Sequence, residues 1–148
     1  YSAEILKRSV AIKAKIVSND EFETGDERIK LNYGHTVGHA IEKISNYSEY
    51  LHGEAVSIGM MVAANISLRM GFINKDLVNR QEEILKSYNL PVKLSGIALE
   101  DILEAVKMDK KNVGGRVKWV LLESLGKATI SQEVSEDIIS ESILEVMN

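Results

Sequence analysis

Apolar residues recur at three- and four-residue spacing along most of the chain, and a single proline, Pro91, interrupts it, so the pattern predicts a mainly α fold. Ile5, Leu6, Val10, Ile12 and Ile16 mark a first helix from about Ala3 to Val17, which the polar run Ser18 to Asp26 ends as a loop. A second helix is expected over roughly Arg28 to Ser45. A third follows His52-Gly53 through EAVSIGMMVAANISLRM and stops at Gly71, where glycine accepts a left-handed cap without strain. That third segment is apolar nearly all round, which predicts a buried helix. Asn74 caps a fourth helix reaching about Ser87, Pro91 breaks the chain, and a fifth runs from about Leu99 to Met108. Arg116 to Leu122 (RVKWVLL) and Ala128 to Ser131 flank Leu125-Gly126 and read as one short β-hairpin, after which a last helix starts near Ser135. No repeat, low-complexity tract or linker divides the chain, so residues 1–148 are read as one domain.

Composition narrows the chemistry. With 148 residues, 45% hydrophobic and 27% charged, the chain can bury a real core. A net charge of -4 with scattered lysines and arginines leaves no footprint for nucleic acid. No run approaches a membrane span, and the opening YSAEILKRSV lacks the order of a signal peptide, so a soluble cytoplasmic protein is expected. There is no cysteine, which leaves His, Asp and Glu as the only strong metal ligands.

The informative segment is ERIKLNYGHTVGHAIE, residues 27–42. On a continuous helix Arg28, Asn32, His35, His39 and Glu42 share one face, with steps of four, three, four and three. Gly34 and Gly38 cost such a helix about 1 kcal/mol each relative to alanine. The cost is sensible where another backbone or a ligand comes close, so the polar stripe is expected to line a cleft. Two histidines four apart are, on these grounds alone, more readily a surface or satisfied core pair than a ligand pair. All three histidines of the chain fall within 18 residues, however, with His52 where the third helix turns back beside the second. Histidines with a carboxylate and an open position are the arrangement that a catalytic Zn²⁺ favours.

LNYGHTVGHAIE followed by LHGEAV resembles the signature of the 3-dehydroquinate synthases and of the wider sugar-phosphate cyclase group. The likeness extends upstream into SVAIKAKIVSNDEFE and downstream into MDKKNVGGRVKWVLLESLGKA, in effect over residues 1 to about 130. It implies the multi-helical C-terminal domain of the dehydroquinate synthase-like fold. It implies His35 and His52 as ligands of Zn²⁺ or Co²⁺, and His39 as a catalytic residue that handles protons and the substrate phosphate. Arg28 and Asn32 would hold substrate oxygens, Arg28 through its planar fork. Lys13 and Glu23 match the family's active-site lysine and glutamate, and Lys110, with Lys111 beside it, is the choice for a phosphate contact. On residue type alone each of these lysines is a solvated surface charge.

The same resemblance implies NAD, bound mainly by an N-terminal nucleotide-binding domain. No G-x-G-x-x-G turn or βαβ alternation occurs in this sequence, so that domain and the family's third metal ligand, a glutamate, are expected upstream of Tyr1. Glu42 and Glu54 do not occupy the third ligand's motif position. The family reaction oxidises 3-deoxy-D-arabino-heptulosonate 7-phosphate transiently, eliminates phosphate, reduces again and closes a ring to 3-dehydroquinate, as a step of the shikimate pathway. The whole enzyme would be a homodimer acting on a small sugar phosphate. Two alternatives stand: a sibling cyclase such as 2-deoxy-scyllo-inosose synthase, and a non-catalytic helical interaction module.

Overall fold

The computed structural model describes residues 2–22, 25–46, 49–112 and 115–147, and the side chains of all of these except 110–112. The elements are α1 (Ser2–Asn19), a 3₁₀ turn (Arg28–Asn32), α2 (His35–Ile44), α3 (His52–Arg69), α4 (Lys75–Ser87), α5 (Leu99–Asn112), β1 (Trp119–Ser124), β2 (Lys127–Ser131) and α6 (Glu136–Met147). They form two compact units, residues Tyr1–Asn32 and Tyr33–Asn148. The mainly α class and the single hairpin expected from the pattern are therefore found.

α3 is the centre of the larger unit. It buries Ala55, Ile58, Met61, Val62, Ala63, Ala64 and Ile66, so apolar side chains point out on several sides at once. Helices α2, α4 and α6 and strand β1 cover those sides. The polar residues it buries are satisfied at joints. Ser57 Oγ donates to the carbonyl of Pro91 at 2.8 Å, and Ser67 Oγ accepts the amide of Leu122 at 3.0 Å, which ties the hairpin to the helix. Asn74 Oδ1 accepts the Leu77 amide at 3.1 Å and starts α4 where the sequence places it.

The hairpin is antiparallel, pairs Trp119 with Ser131 and Val120 with Ile130, and turns at Leu125-Gly126, with Gly126 at φ 77°. Its first strand begins three residues later than the run from Arg116 suggests. Trp119, Val120 and Leu121 are buried in succession where the strand packs against α3.

One expectation fails. The second helix does not run from Arg28. The Arg28–Asn32 turn and α2 are separate, and the chain turns between them at Tyr33-Gly34, with Gly34 at φ 82°. Glycine reaches that left-handed conformation because it has no Cβ. The stripe of five polar residues is thus broken: His35, His39 and Glu42 share α2, whereas Arg28 and Asn32 stand on the 3₁₀ turn of the smaller unit.

α6 is held to the end of α3 by charge as well as by Ile143 and Val146. Arg69 meets Glu145 at 2.6 Å and Glu141 at 3.3 Å, and Lys75 meets Glu145 at 3.2 Å. The Arg69 hydrogen bond, helped by Lys75, holds the Glu145 carboxyl below its ordinary 4.5. The folded state therefore prefers the anion. Its contribution is complete above pH 4.5 and is lost as pH falls through the lowered folded value. Glu145→Gln is expected to cost at most about 1 kcal/mol at pH 7, since solvent screens this half-exposed pair. Thermal melts should show that difference shrinking as pH is taken below 4.5; a constant gap would refute the assignment.

Candidate metal centre

The site begins with backbone contact between α2 and α3. A Cβ on Gly34 would come within 2.6 Å of Met60 Cγ and 2.8 Å of the Val56 carbonyl oxygen. A Cβ on Gly38 would stand 3.1 Å from Val56 Cα, and one on Gly59 would collide with the Gly34 carbonyl oxygen. Three glycines thus let the two helices touch along their backbones. The Gly34 carbonyl still accepts the Gly38 amide at 3.1 Å, so α2 starts immediately after the corner, with His35 as its first residue.

His52 is likewise the first residue of α3. The Glu54 carboxylate accepts the Leu51 amide at 2.8 Å, which assigns Glu54 to capping this helix. Close helix contact then brings the three imidazoles together. Ring centroids are 5.3 Å apart for His35 and His39, 5.4 Å for His35 and His52, and 6.2 Å for His39 and His52.

Two of the rings are oriented from behind. His35 Nδ1 lies 3.3 Å from the Tyr33 carbonyl oxygen, and His52 Nδ1 lies 3.0 Å from Glu42 Oε1. Each oxygen can only accept a hydrogen bond from Nδ1–H, so in a neutral ring Nε2 is the nitrogen left with a free lone pair. Glu42 is only 6% exposed, a carboxylate that burial would penalise without such a partner. Burial holds His35 below its ordinary 6.5, and the neighbouring His39 and His52 push the same way. The site therefore favours a neutral imidazole at His35, the form that coordinates metal.

Ligand atoms of His39, Glu42 and His52 also lie within 4.8 Å of one another. A set of imidazoles with one carboxylate and no thiolate suits a borderline divalent ion such as Zn²⁺ or Co²⁺. Glu42 is the residue that sequence reasoning undervalued. Its place on the histidine face was visible, but its pairing with His52 depends on how α2 crosses α3.

The remaining expected residues are distributed as follows. Lys13 is on α1, and Arg28 and Asn32 are on the 3₁₀ turn, all in the smaller unit. Lys110 falls on α5 with its side chain outside the described residues, and Glu23 lies outside them altogether. The structure assembles the three histidines and adds Glu42. A cavity of about 520 Å³ between α5, the hairpin and α6, lined by Leu103, Trp119, Val134 and Ile139 among others, touches none of them.

Residues 1–112 match the model of the 3-dehydroquinate synthase C-terminal family. The chain belongs to that family. It is 45% identical over 142 residues to the 3-dehydroquinate synthase of Acinetobacter baumannii (strain AYE), covering 96% of this chain and 39% of that protein. It is 43% identical over 145 residues to that of Thermodesulfovibrio yellowstonii, covering 97% and 39%. The chain thus spans about two-fifths of the length of these 3-dehydroquinate synthases.

Solved structures share the fold. A 2-epi-5-epi-valiolone synthase from Streptomyces hygroscopicus subsp. jinggangensis 5008, with NAD⁺ and Zn²⁺ bound, superposes with a TM-score of 0.86 at 22% identity over 97% of this chain and 39% of its own. A 2-deoxy-scyllo-inosose synthase in complex with carbaglucose-6-phosphate, NAD⁺ and Co²⁺ gives 0.73 at 27% identity, over 91% of this chain and 39% of its own.

Proposed function

We propose that this chain is the metal- and substrate-binding part of a 3-dehydroquinate synthase, which converts 3-deoxy-D-arabino-heptulosonate 7-phosphate into 3-dehydroquinate and phosphate with transient oxidation by NAD. The observation that supports it is the meeting of His35, His39 and His52 at the contact of α2 and α3, in a chain of this family. His35 and His52 would hold Zn²⁺ or Co²⁺, because each has its Nδ1 engaged by an oxygen, as metal-bound histidines nearly always do. The bound ion supplies Lewis acidity toward a substrate hydroxyl.

His39, exposed and one turn along α2 from His35, is left to face substrate and exchange protons with it or with the departing phosphate. Arg28 and Asn32 serve as oxygen holders, Arg28 gripping an oxyanion with two parallel N–H groups. Lys13, Glu23 and Lys110 take the family's active-site and phosphate-contact roles by position in the motif. NAD is assigned to a nucleotide-binding domain, and the missing anionic ligand to the same upstream region.

Because those parts are not in this sequence, the 148-residue chain alone is expected neither to bind NAD nor to form dehydroquinate. Turnover by the isolated chain would sink that division of labour. The substrate is decided with the full-length enzyme: phosphate release from the heptulosonate phosphate and not from glucose 6-phosphate supports the reading. The reverse preference assigns the chain to a sibling cyclase.

A further inference from the structure

The Tyr33-Gly34 corner does more than end the 3₁₀ turn, because the carbonyl of Tyr33 is the group that orients His35. What holds Tyr33 lies on two other helices. Its hydroxyl is 2.8 Å from Gln81 Oε1 on α4 and 3.2 Å from the Met60 carbonyl oxygen on α3. Gln81 Nε2 donates to that same carbonyl at 3.0 Å and approaches Met61 Sδ at 3.5 Å. The Met60 carbonyl sets the orientation of the amide, because a flipped amide would turn its oxygen against that carbonyl. One side chain of α4 thus binds both the helix that carries His52 and the residue whose backbone orients His35.

We infer that Gln81, acting through the Tyr33 hydroxyl, is a positioning residue for metal binding: it locks the corner that fixes His35 with Nε2 free. The inference rests on the reading of His35 and His52 as metal ligands. His35 is the first residue of α2, where a helix end has unsatisfied amides and no preceding turn to steady it. Gly34 lacks a side chain with which to stiffen the corner. The anchor must therefore come from Tyr33, and its polar end has the two partners just named.

The effect expected is that of losing a group behind a ligand, about tenfold in metal affinity. The test uses the whole chain with Co²⁺, whose binding is read from its visible absorption and by competition with a chelator, together with ¹⁵N chemical shifts of the histidine rings without metal. Gln81→Leu and Tyr33→Phe should each weaken Co²⁺ binding about tenfold and shift His35 away from the Nδ1-protonated tautomer. Because both remove the Tyr33–Gln81 hydrogen bond, the double variant should bind about as weakly as Gln81→Leu, which also loses the bond to the Met60 carbonyl, not about a hundredfold worse. Circular dichroism melts confirm that the variants are folded, and if Gln81→Leu is not, Tyr33→Phe carries the comparison.

Unchanged affinity and tautomer in folded variants, or multiplying effects in the double variant, overturn the inference. If the unsubstituted chain takes up no Co²⁺, or His52→Ala binds it equally well, the metal reading is what fails. The His35 tautomer in Tyr33→Phe then still decides whether the clamp exists.

Discussion

Gly59→Ala is expected to be the most damaging single-methyl change in the chain. Alanine ordinarily stabilises a helix interior by about 1 kcal/mol relative to glycine. Here the added Cβ collides with the Gly34 carbonyl oxygen and lies 2.9 Å from the Gly38 amide nitrogen, so both obstacles are backbone and neither can rotate aside. Relief requires α2 to move off α3. Overpacking of this kind costs about 1–3 kcal/mol and sometimes more, and the rigid neighbours place Gly59 at the upper end. For a chain of this length that is a fall in Tm of roughly 10 °C. The same movement separates His35 and His39 from His52, so metal affinity should fall with stability. Gly53→Ala is the control. It is also in α3, but a Cβ there meets nothing within 4 Å, and helix propensity should leave it neutral or slightly stabilising. Parallel thermal melts of the two variants check the argument, and equal Tm values would refute the packing account.

The contrast between these glycines also shows what could be read in advance. Close approach at Gly34 and Gly38 was legible, because two glycines in an otherwise helical pattern need a reason. Their partner Gly59 was not, since nothing local says which part of an all-apolar helix faces them. The break at Tyr33-Gly34 was hidden for a related cause. Helical spacing runs unbroken from Arg28 to Glu42, and only packing of Gly34 on Val56 and Met60 selects its left-handed φ. Local signals served better where the deciding chemistry was local, as at the Asn74 cap and the Leu125-Gly126 turn. At the site, order along the chain sufficed to bring His52 beside α2. The Glu42–His52 pair and the Tyr33–Gln81 anchor join residues 10 and 48 apart in sequence, and both depend on how helices cross. Lys13, Arg28, Asn32, Glu23 and Lys110 took their roles from resemblance to a family, not from any pattern in the residues themselves.

In a full-length enzyme carrying this chain, His35→Ala and His52→Ala are each expected to abolish metal retention, whereas His39→Ala should keep the metal and lose turnover. A histidine ligand needs its ring held and its second nitrogen occupied. The Tyr33 carbonyl does this for His35 and the Glu42 carboxylate for His52. Removing either ligand should cost more than the 10–100-fold typical of losing a group behind a ligand. Glu42→Gln supplies that smaller effect for comparison, since glutamine still accepts from His52 Nδ1 but brings no charge. The structure also defines the competing outcome, because ligand atoms of His39, Glu42 and His52 lie within 4.8 Å of one another and could hold an ion themselves. In that arrangement His39→Ala and Glu42→Gln would empty the site and His35→Ala would not. Metal content measured by mass spectrometry on the four purified variants separates the two arrangements. The isolated chain adds a graded check: without an upstream anionic ligand to neutralise the ion, its binding should be weaker than that of the full-length enzyme and should fade toward acid as protons compete for the imidazoles.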